Sequence, residues 1–327
     1  MDRYEKQYTD ALRFIDERDN FLITTHINAD GDAYGSTLAT AYWLQALGKR
    51  STVVFHDSPR EEKYRFLRGW GDILDCQQGA ASQFDAAIVL DVPNRKRIGD
   101  AADLLPPAAH CLKIDHHPEE EHFADFRLVD TGASSTCQLI YEIVCRSTVA
   151  FDTELATLIF SGLIYDTGRF SFSNTRSRDF EIAAQLTAYG VRPNEVATRL
   201  FFSNSYQTMK IIGYGLANME SFLDGRINVI YLPHEIVAQA GQADLDELAN
   251  YSSAVRGGEV GLFMREIDGE HLKISFRSRG RVDVNRVARQ FGGGGHVHAA
   301  GCRCRLQGKP DDIKMRIVAE IAKQLDT

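Results

Sequence analysis

The stretch F-L-I-T-T-H-I-N-A-D-G-D, residues 21–32, joins a short apolar run to a cluster of polar groups. The apolar part predicts a buried strand, and comparable short runs recur along the chain at 52–55, 86–90 and 111–114. The first gap predicts a helix that begins at Ser36 as N-cap and ends near Leu47. Continuous apolar strands that alternate with helices indicate an α/β domain, with a parallel sheet covered by helices on both faces.

Polar side chains stand where these strands end. In open parallel sheets ligands bind outside the carboxyl ends of the strands, so side chains at those ends converge in one crevice. The convergent groups are His26, Asp30, Asp32, Asp91, Asp115, His116 and His117, and Asp166 ends a further apolar run. Carboxylates combined with imidazoles and no thiolate suit two cations, Mn²⁺ or Mg²⁺, and such a pair serves displacement at phosphorus. The alternative is that these residues merely cap strands.

From about Arg226 the apolar pattern changes to period two, which is typical of strands with one polar face. Asp268-Gly269 predicts a hairpin turn between two such strands. Residues 134–220 predict mostly helices, with Gly162, Gly168 and Gly190 as interruptions. We therefore expect three parts: a catalytic domain at 1–195, a helical connector at 196–222, and a smaller α+β domain with a mixed sheet at 223–327.

The second domain carries a basic stretch. Between Leu272 and Arg289 there are six basic residues against one acid, a local charge of +5 in a chain of net charge −8. Arg277 and Arg279 flank Ser278 on a predicted strand, so that one arginine can face a ligand. The glycines before His296 (Gly293, Gly294 and Gly295) let backbone N–H groups approach a phosphate or a base. A glycine run by itself more often indicates only a flexible loop.

Composition limits the function further. Among 327 residues, 45 acidic against 37 basic side chains argue against a protein that coats long duplex nucleic acid. The longest uncharged apolar stretch, residues 155–165, is far shorter than the roughly 20 residues of a membrane span. The first residues show no secretory signal. We therefore expect a cytoplasmic protein whose six cysteines are reduced core residues.

Five motifs together resemble the DHH phosphoesterase superfamily. They are H-I-N-A-D-G-D-A-Y-G-S at 26–36, L-D-V-P-N-R-K-R-I-G-D at 90–100, I-D-H-H-P at 114–118, L-I-Y-D-T-G-R-F at 163–170, and V-D-V-N-R-V-A-R-Q-F-G-G-G-G-H-V-H-A-A-G at 282–301. The last is similar to the signature of the DHH-associated C-terminal domain, subfamily one. Among its members, the chain resembles the nanoRNase and pAp phosphatase type. Ala29 is a departure, because relatives commonly have proline there.

The resemblance implies roles for individual residues. His26, Asp30 and Asp91 would bind one Mn²⁺, and Asp32, Asp91, His116 and Asp166 the other, with Mg²⁺ as an alternative metal. Asp115 would orient His116, and His117 would face the scissile phosphate. Arg97, which follows Asp91, is either a phosphate clamp or a solvated surface arginine.

These features predict a Mn²⁺-dependent hydrolase whose active site lies in the cleft between the domains. Expected substrates are short single-stranded RNA or DNA oligonucleotides, linear dinucleotides and adenosine 3′,5′-bisphosphate (pAp). A cyclic-di-AMP phosphodiesterase is the alternative enzyme. A non-catalytic nucleotide sensor is a hypothesis of another class, but every metal-binding position is filled. A homodimer remains open.

Overall fold

The computed structural model describes residues 3–58, 60–79, 83–241, 245–306 and 308–325. The chain divides into two compact units, Met1–Ser203 and Asn204–Thr327. The division falls inside the stretch 196–222 that we predict as a connector. The helix before the division belongs to the first unit, and the helix after it belongs to the second.

The first unit is built on a six-stranded sheet in which every neighbouring pair is parallel. The four strands predicted from apolar runs are confirmed, and two short edge strands join them. Those two were not predicted because neither presents a continuous apolar run. The strands are β1 Phe21–Thr24, β2 Ser51–Phe55, β3 Leu74–Asp75, β4 Ala86–Leu90, β5 Cys111–Asp115 and β6 Phe126–Val129.

The strand order, β3-β2-β1-β4-β5-β6, determines where the crevice lies. From β1 the chain proceeds outward through β2 and β3, and from β4 it proceeds outward in the opposite direction. The loops that leave β1 and β4 therefore diverge, and a ligand crevice opens between them at the carboxyl ends of the strands. His26 and Asp91 stand in these two loops.

Both faces of this sheet are buried, but by different structures. Phe21 and Ile23 of β1 belong to a core formed with the long helices, whereas Leu22 between them belongs to a core formed with a 3₁₀ segment, Arg95–Leu104. The helices are α1 Arg3–Asp16, α2 Gly31–Ala46, α3 Cys76–Gly79, α4 Thr136–Cys145, α5 Thr153–Asp166, α6 Ser177–Ala188 and α7 Pro193–Phe201. Further 3₁₀ turns are Glu62–Tyr64, Trp70–Asp72 and Ala108–His110.

Two details of the predicted helices are wrong. Helix α2 begins at Gly31 and not after Ser36, because Asp30 is the N-cap and its Oδ1 accepts the N–H groups of Asp32 and Ala33 at 3.0 and 3.2 Å. Gly162 does not interrupt a helix, since α5 runs through it. A Cβ there would lie 2.6 Å from the Asp32 carboxylate, so glycine permits α5 to approach α2 closely.

The second unit has a mixed six-stranded sheet, as predicted, in the order β11-β12-β10-β9-β8-β7. Among the described strands of this sheet, only β8 and β9 pair in parallel. Helices cover both faces of the sheet. The strands are β7 Glu220–Phe222, β8 Ile227–Leu232, β9 Val260–Glu266, β10 His271–Ser278, β11 Gly294–Gly295 and β12 Ala299–Arg305. The helices are α8 Tyr206–Ala217, α9 His234–Val237, α10 Glu247–Ser252, α11 Val284–Gln290 and α12 Pro310–Leu325, with a 3₁₀ turn at Ala238–Ala240.

Two general expectations can be compared with the structure. All six cysteines are free thiols, as predicted, but Cys145 is exposed and Cys76 and Cys304 are half-buried, so only three of the six are core residues. Among the described residues, no helix combines the length and the apolar character needed to cross a lipid bilayer.

Candidate metal centre

The loops after β1, β4 and β5, the first turn of α2 and the last residue of α5 bring the six predicted metal ligands together. His26, Asp30 and Asp91 form one group, and Asp32, Asp91 and His116 form another. Within each group the potential ligand atoms all lie within 4.8 Å of one another. Asp166 joins the second group, with its Oδ2 3.2 Å from Nε2 of His116. The two groups share Asp91.

Asp91 lies between the two predicted imidazole ligands, and Nδ1 of His117 also lies 3.4 Å from its Oδ1. Its Oδ2 is 3.4 Å from Nε2 of His26, and its Oδ1 is 3.4 Å from Nε2 of His116. Each carboxylate oxygen therefore faces a different group, which is the geometry a bridging ligand requires. The hydroxyl of Thr136 also donates to Oδ1, at 3.0 Å. The backbone of Asp91 is left-handed, at φ +61°, a conformation that Asp and Asn tolerate better than other non-glycine residues.

Asp32 lies in the first turn of α2 and is fully buried. Its two oxygens accept the backbone N–H groups of Thr136 and Cys137 at 2.6 and 2.9 Å. These are the first two residues of α4, whose N-cap Ser135 accepts the N–H of Gln138 at 3.0 Å. Ser135 therefore caps α4, and the N–H groups of the first turn of α4 bind the carboxyl group of Asp32.

The electrostatics of the cluster can be used to test whether it suits a cation. Burial, followed by the charges of Asp91 and Asp166, raises the pKa of Asp32 well above its usual range. Burial lowers the pKa of His26, but the hydrogen bond to Asp91 and the charge of Asp30 outweigh it and raise the pKa to about 9. The cluster therefore holds protons that a bound cation would replace. Oxygen and nitrogen donors in this number fit two divalent cations.

Asp115 at the end of β5 holds His117. Its Oδ1 lies 2.8 Å from Nδ1 of His117 and accepts the backbone N–H of the same residue at 3.1 Å. Its Oδ2 lies 3.3 Å from Nζ of Lys113. The resemblance implied that Asp115 orients His116, but the hydrogen bonds observed here go to His117. Burial raises the pKa of Asp115, but the hydrogen bond and charge of His117 together with the charge of Lys113 outweigh it and leave the pKa below the usual range.

Arg97 lies beside this cluster. Its carbonyl accepts the backbone N–H of Ile27 at 2.7 Å, which ties the loop after β4 to the loop after β1. Its Nη2 is 3.4 Å from Nδ1 of His26, and the side chain is otherwise exposed. The guanidinium therefore lies close to His26, a predicted metal ligand, and it is also as exposed to solvent as a surface residue.

The predicted substrate-binding residues of the second unit have contacts of their own. Nε of Arg277 donates to the Asn250 side chain at 3.1 Å, and its Nη1 donates to the carbonyl of Phe276 at 3.0 Å. Ser278 is buried, and its hydroxyl donates to the carbonyl of Val282 at 2.8 Å. Arg279 is exposed. Nζ of Lys273 binds Asp246 at 2.9 Å, which offsets part of the local positive charge.

The glycine run has a conformational cause. A Cβ on Gly293 would lie 2.1 Å from the carbonyl oxygen of Gly301. Gly294 and Gly295 pair with β12, and Gly295 has φ +146°. The N–H of His296 donates to the carbonyl of Ala299 at 2.7 Å, closing a tight turn. Ala299 is the partner of Arg277 in the β10–β12 register, so Arg277 lies at the same end of the sheet as this turn.

Sequence reasoning missed two contributors to the first cluster. Asp57 accepts the N–H of Ala29 at 2.9 Å, which holds the loop after β1. Lys113 contacts Asp115. A lysine inside the otherwise apolar run C-L-K-I was a usable signal for the last, but nothing local marks Asp57.

The fold and the site define a two-domain protein with a carboxylate–histidine cluster at the switch point of a parallel sheet. Residues 20–163 match the family described as the DHH family, N-terminal domain, and residues 228–324 match the DHHA1 domain. The chain belongs to the DHH family, as its motifs predict.

Several known proteins are similar over nearly the whole chain. A protein of Thermus thermophilus named bifunctional oligoribonuclease and PAP phosphatase NrnA is 31% identical, over 98% of this chain and 96% of the relative. The Bacillus subtilis protein of the same name is 29% identical, over 93% and 96%. The crystal structure of an exopolyphosphatase-related protein from Bacteroides fragilis superposes with a TM-score of 0.87 at 25% identity, over 98% of this chain and 96% of that one.

Proposed function

We propose that this chain is a Mn²⁺-dependent phosphoesterase that hydrolyses short oligonucleotides, linear dinucleotides and pAp to mononucleotides. The observation that carries the proposal is that Asp91 belongs both to the group with His26 and Asp30 and to the group with Asp32 and His116. A carboxylate between two cations is the arrangement that serves in-line displacement at phosphorus. The names of the Thermus and Bacillus relatives, which refer to oligoribonuclease and PAP phosphatase activities, support this substrate class.

We assign one cation to His26, Asp30 and Asp91, and the other to Asp32, Asp91, His116 and Asp166. Carboxylates suit Mg²⁺ and Mn²⁺ alike, whereas imidazole nitrogens favour the softer Mn²⁺. When bound, such a pair of cations lowers the pKa of water and neutralises charge on the phosphate. Asp32 is held in place for this function by the N-terminus of α4.

His117 and Arg97 supply hydrogen bonds to the substrate. Because Nδ1 of His117 lies 2.8 Å from Asp115, we assign its proton to that contact and the ligand contact to Nε2. Asp115 thereby keeps the imidazole in one tautomer and one orientation, ready to stabilise charge on a phosphate oxygen. Arg97, next to His26, would bind a second oxygen of the same phosphate.

The second unit would bind the remainder of the substrate. Arg277 lies at the same end of the sheet as the glycine turn, and together with Arg279 and His296 it offers cations and backbone N–H groups to a terminal phosphate or base. Because the chain has a net charge of −8, long nucleic acids gain little from additional phosphates. A cytoplasmic location and a homodimer remain predictions.

The direct test is hydrolysis by metal-stripped protein to which Mn²⁺ or Mg²⁺ is returned, with pAp, pApA, a trinucleotide, a thirty-residue RNA and cyclic di-AMP as substrates. We expect mononucleotides from the short linear substrates, AMP and phosphate from pAp, and little product from the long RNA. Faster cleavage of cyclic di-AMP than of pApA would instead assign a cyclic-di-AMP phosphodiesterase. Binding without any product would indicate a nucleotide sensor.

A further inference from the structure

The segment directly after Asp166 has an unusual backbone. Gly168, Arg169 and Phe170 all have left-handed conformations, at φ +54°, +60° and +62°. Two consecutive non-glycine residues in this region cost conformational free energy, and such strain persists only where the surroundings impose it. Here the N–H of Arg169 donates to the carbonyl of Ile164 at 2.8 Å, and Asn174 Nδ2 donates to the carbonyl of Asp166 at 3.0 Å. The turn is thus fixed to the end of α5.

The strained turn displays aromatic rings and a cation to solvent. Phe172 is 40% exposed, and a Cβ on Gly168 would lie 2.4 Å from its ring, so the ring lies against the backbone two residues from Asp166. The guanidinium of Arg169 lies 5.0 Å from the ring centroid of Phe201 and 5.8 Å from that of Phe202, which is 66% exposed. We call Arg169, Phe172 and Phe202 the aromatic turn patch.

The composition of this patch indicates its occupant. Exposed rings gain free energy from a flat apolar partner, and a cation among them favours a partner that also carries negative charge. Ser171, Ser173 and Asn174 interleave with the rings, which breaks up the continuous apolar surface that a protein helix would need. A nucleobase attached to a phosphate meets both requirements, and the phosphate would lie at the centre to which Asp166 belongs.

We propose that the aromatic turn patch is a nucleobase-stacking site, with Phe172 beneath the base of the nucleotide under attack. This inference rests on the proposed function, because it assumes a nucleotide substrate. Base stacking on an aromatic side chain tolerates any base, so the site would select for the presence of a base rather than for its identity. The metal centre would select for the phosphate, and Phe172 for the nucleoside attached to it.

The test compares Phe172→Ala with Phe172→Trp on two substrates, a dinucleotide and its analogue with an abasic sugar in place of the attacked nucleoside. Phe172→Ala should lower kcat/KM about tenfold or more for the dinucleotide and less than twofold for the abasic analogue. Phe172→Trp should retain the wild-type preference. Tyr189→Ala is the matched control, because Tyr189 is another ring of this unit, 43% exposed and stacked on Phe151.

A binding measurement gives a second readout without turnover. A dinucleotide that carries 2-aminopurine should lose fluorescence on binding to metal-free wild-type protein and to the Trp variant, but not to Phe172→Ala. Equal losses of kcat/KM on both substrates, or unchanged quenching in Phe172→Ala, would overturn the stacking site while leaving the proposed function intact. Failure of the wild-type protein to hydrolyse any nucleotide would instead overturn the proposed function.

A different observation concerns Lys113, whose side chain is 1% exposed in the middle of β5. Its Nζ lies 3.3 Å from Oδ2 of Asp115 and donates to the carbonyl of Pro93 at 3.2 Å. Burying an ammonium group is costly unless its partners compensate. Both partners of Lys113 are next to residues of the candidate metal centre. Asp115 holds His117, and Pro93 lies two residues after Asp91.

We infer that Lys113 is a positioning residue that fixes Asp115 and the turn after Asp91, and through them His117. On the proposed activity, Lys113→Met should lower kcat about tenfold with KM within twofold, and Lys113→Arg should recover part of the loss. In the Asp115→Asn background, Lys113→Met should add less than twofold, because both changes disturb one unit. Lys113→Gln serves as a second neutral variant should the Met protein fail to fold.

A purely structural lysine gives another pattern. In that case the neutral variants would unfold at lower temperature but retain the wild-type kcat where they are folded, or their loss would multiply fully with that of Asp115→Asn. Either result would overturn the positioning role.

Discussion

The two residue clusters singled out by the sequence differ in what accounts for them. In the first unit, Asp32, Asp91 and His116 are buried together, and burial with like charge raises the pKa of Asp32. In the second unit, Ser278 and Gly293 are accounted for by the fold, because one bonds the carbonyl of Val282 and the other leaves room for Gly301. A buried group of carboxylates is stabilised by a bound cation, whereas the glycine turn is explained by the conformation of the backbone alone.

Residues that bind a ligand differ from residues that support the fold in whether they stabilise the protein without that ligand. In the first cluster the burial of Asp32 among like charges opposes the stability of the metal-free fold, so its presence points to a ligand. In the second cluster most residues support the fold, and the exposed Arg279 and the half-buried Arg277 and His296 are those best placed to serve a ligand. Changes in the first cluster should therefore affect turnover, and changes in the second should affect substrate affinity or stability.

The largest effect is expected for Asp91→Asn. Asparagine tolerates φ +61° and keeps the shape of the side chain, but it lacks the charge shared by both ligand groups. Mn²⁺-dependent kcat should fall at least a thousandfold, about 4 kcal/mol of barrier, while the metal-free protein remains folded at the temperature of the assay. Retention of more than a tenth of wild-type kcat would exclude the bridging role.

Asp32→Asn and His116→Ala should each lower kcat about a hundredfold or more. Because both residues belong to one ligand group, the double variant should be hardly worse than either single one. The control combines Asp32→Asn with Arg277→Ala, a residue of the other unit. For that pair the losses of kcat/KM on a dinucleotide should multiply. Multiplication within the first pair would show that the ligands are divided differently between the cations.

Arg277→Ala should raise KM for a dinucleotide. The expected loss of binding free energy is roughly 1.5 to 3 kcal/mol, the scale of a lost charge-assisted hydrogen bond. Hydrolysis of bis(p-nitrophenyl) phosphate should change little, because that substrate depends mainly on the first cluster. Arg303→Ala is the control, since Arg303 is an exposed arginine of β12 paired with Asp268. Equal losses on both substrates would show that Arg277 supports the fold or the chemistry and not the binding of the dinucleotide.

The stability of the metal-free protein should depend on pH through His26. Its pKa is about 9 in the folded protein against 6.5 ordinarily, so the folded state binds more protons between these values. Stability should be fully present below about pH 6.5 and fall by about 1 to 3 kcal/mol toward pH 9. Thermal unfolding of wild type and His26→Asn checks this. Saturating Mn²⁺ should flatten the slope, and an unchanged slope would contradict metal binding by His26.

The smallest effect is expected for Ser278→Ala. Loss of the buried hydroxyl leaves the carbonyl of Val282 without this donor, so the free energy of unfolding should fall by about 1 kcal/mol. KM for a dinucleotide should stay within twofold of wild type, and Arg279→Ala should leave stability unchanged because that side chain is exposed. A raised KM with unchanged stability would show that Ser278 binds the substrate, as the sequence predicts.

Much of the fold could be predicted because its signals are local. Apolar runs such as A-A-I-V-L at 86–90 and the period-two runs after Arg226 depend on neighbours along the chain, and the central strands of both sheets follow from them. Five of the six predicted metal ligands could be selected because polar residues follow the strands and match family motifs, whereas Asp166 was selected because it ends an apolar run, which forms α5. The start of α2 was placed wrongly because Asp30 and Ser36 both offer N-caps, and only the backbone path distinguishes them.

The family, the central strands of the two sheets and the side chains that meet at the switch point could all be inferred from the sequence, since each follows from patterns a few residues long. Three contacts are visible only in the folded protein: Asp91 lies between the imidazoles of His26 and His116, the N-terminus of α4 binds Asp32, and Asp115 contacts both His117 and Lys113. These contacts join residues far apart in the chain or depend on how a strand end is turned. No local pattern encodes them, because their geometry results from the packing of whole elements.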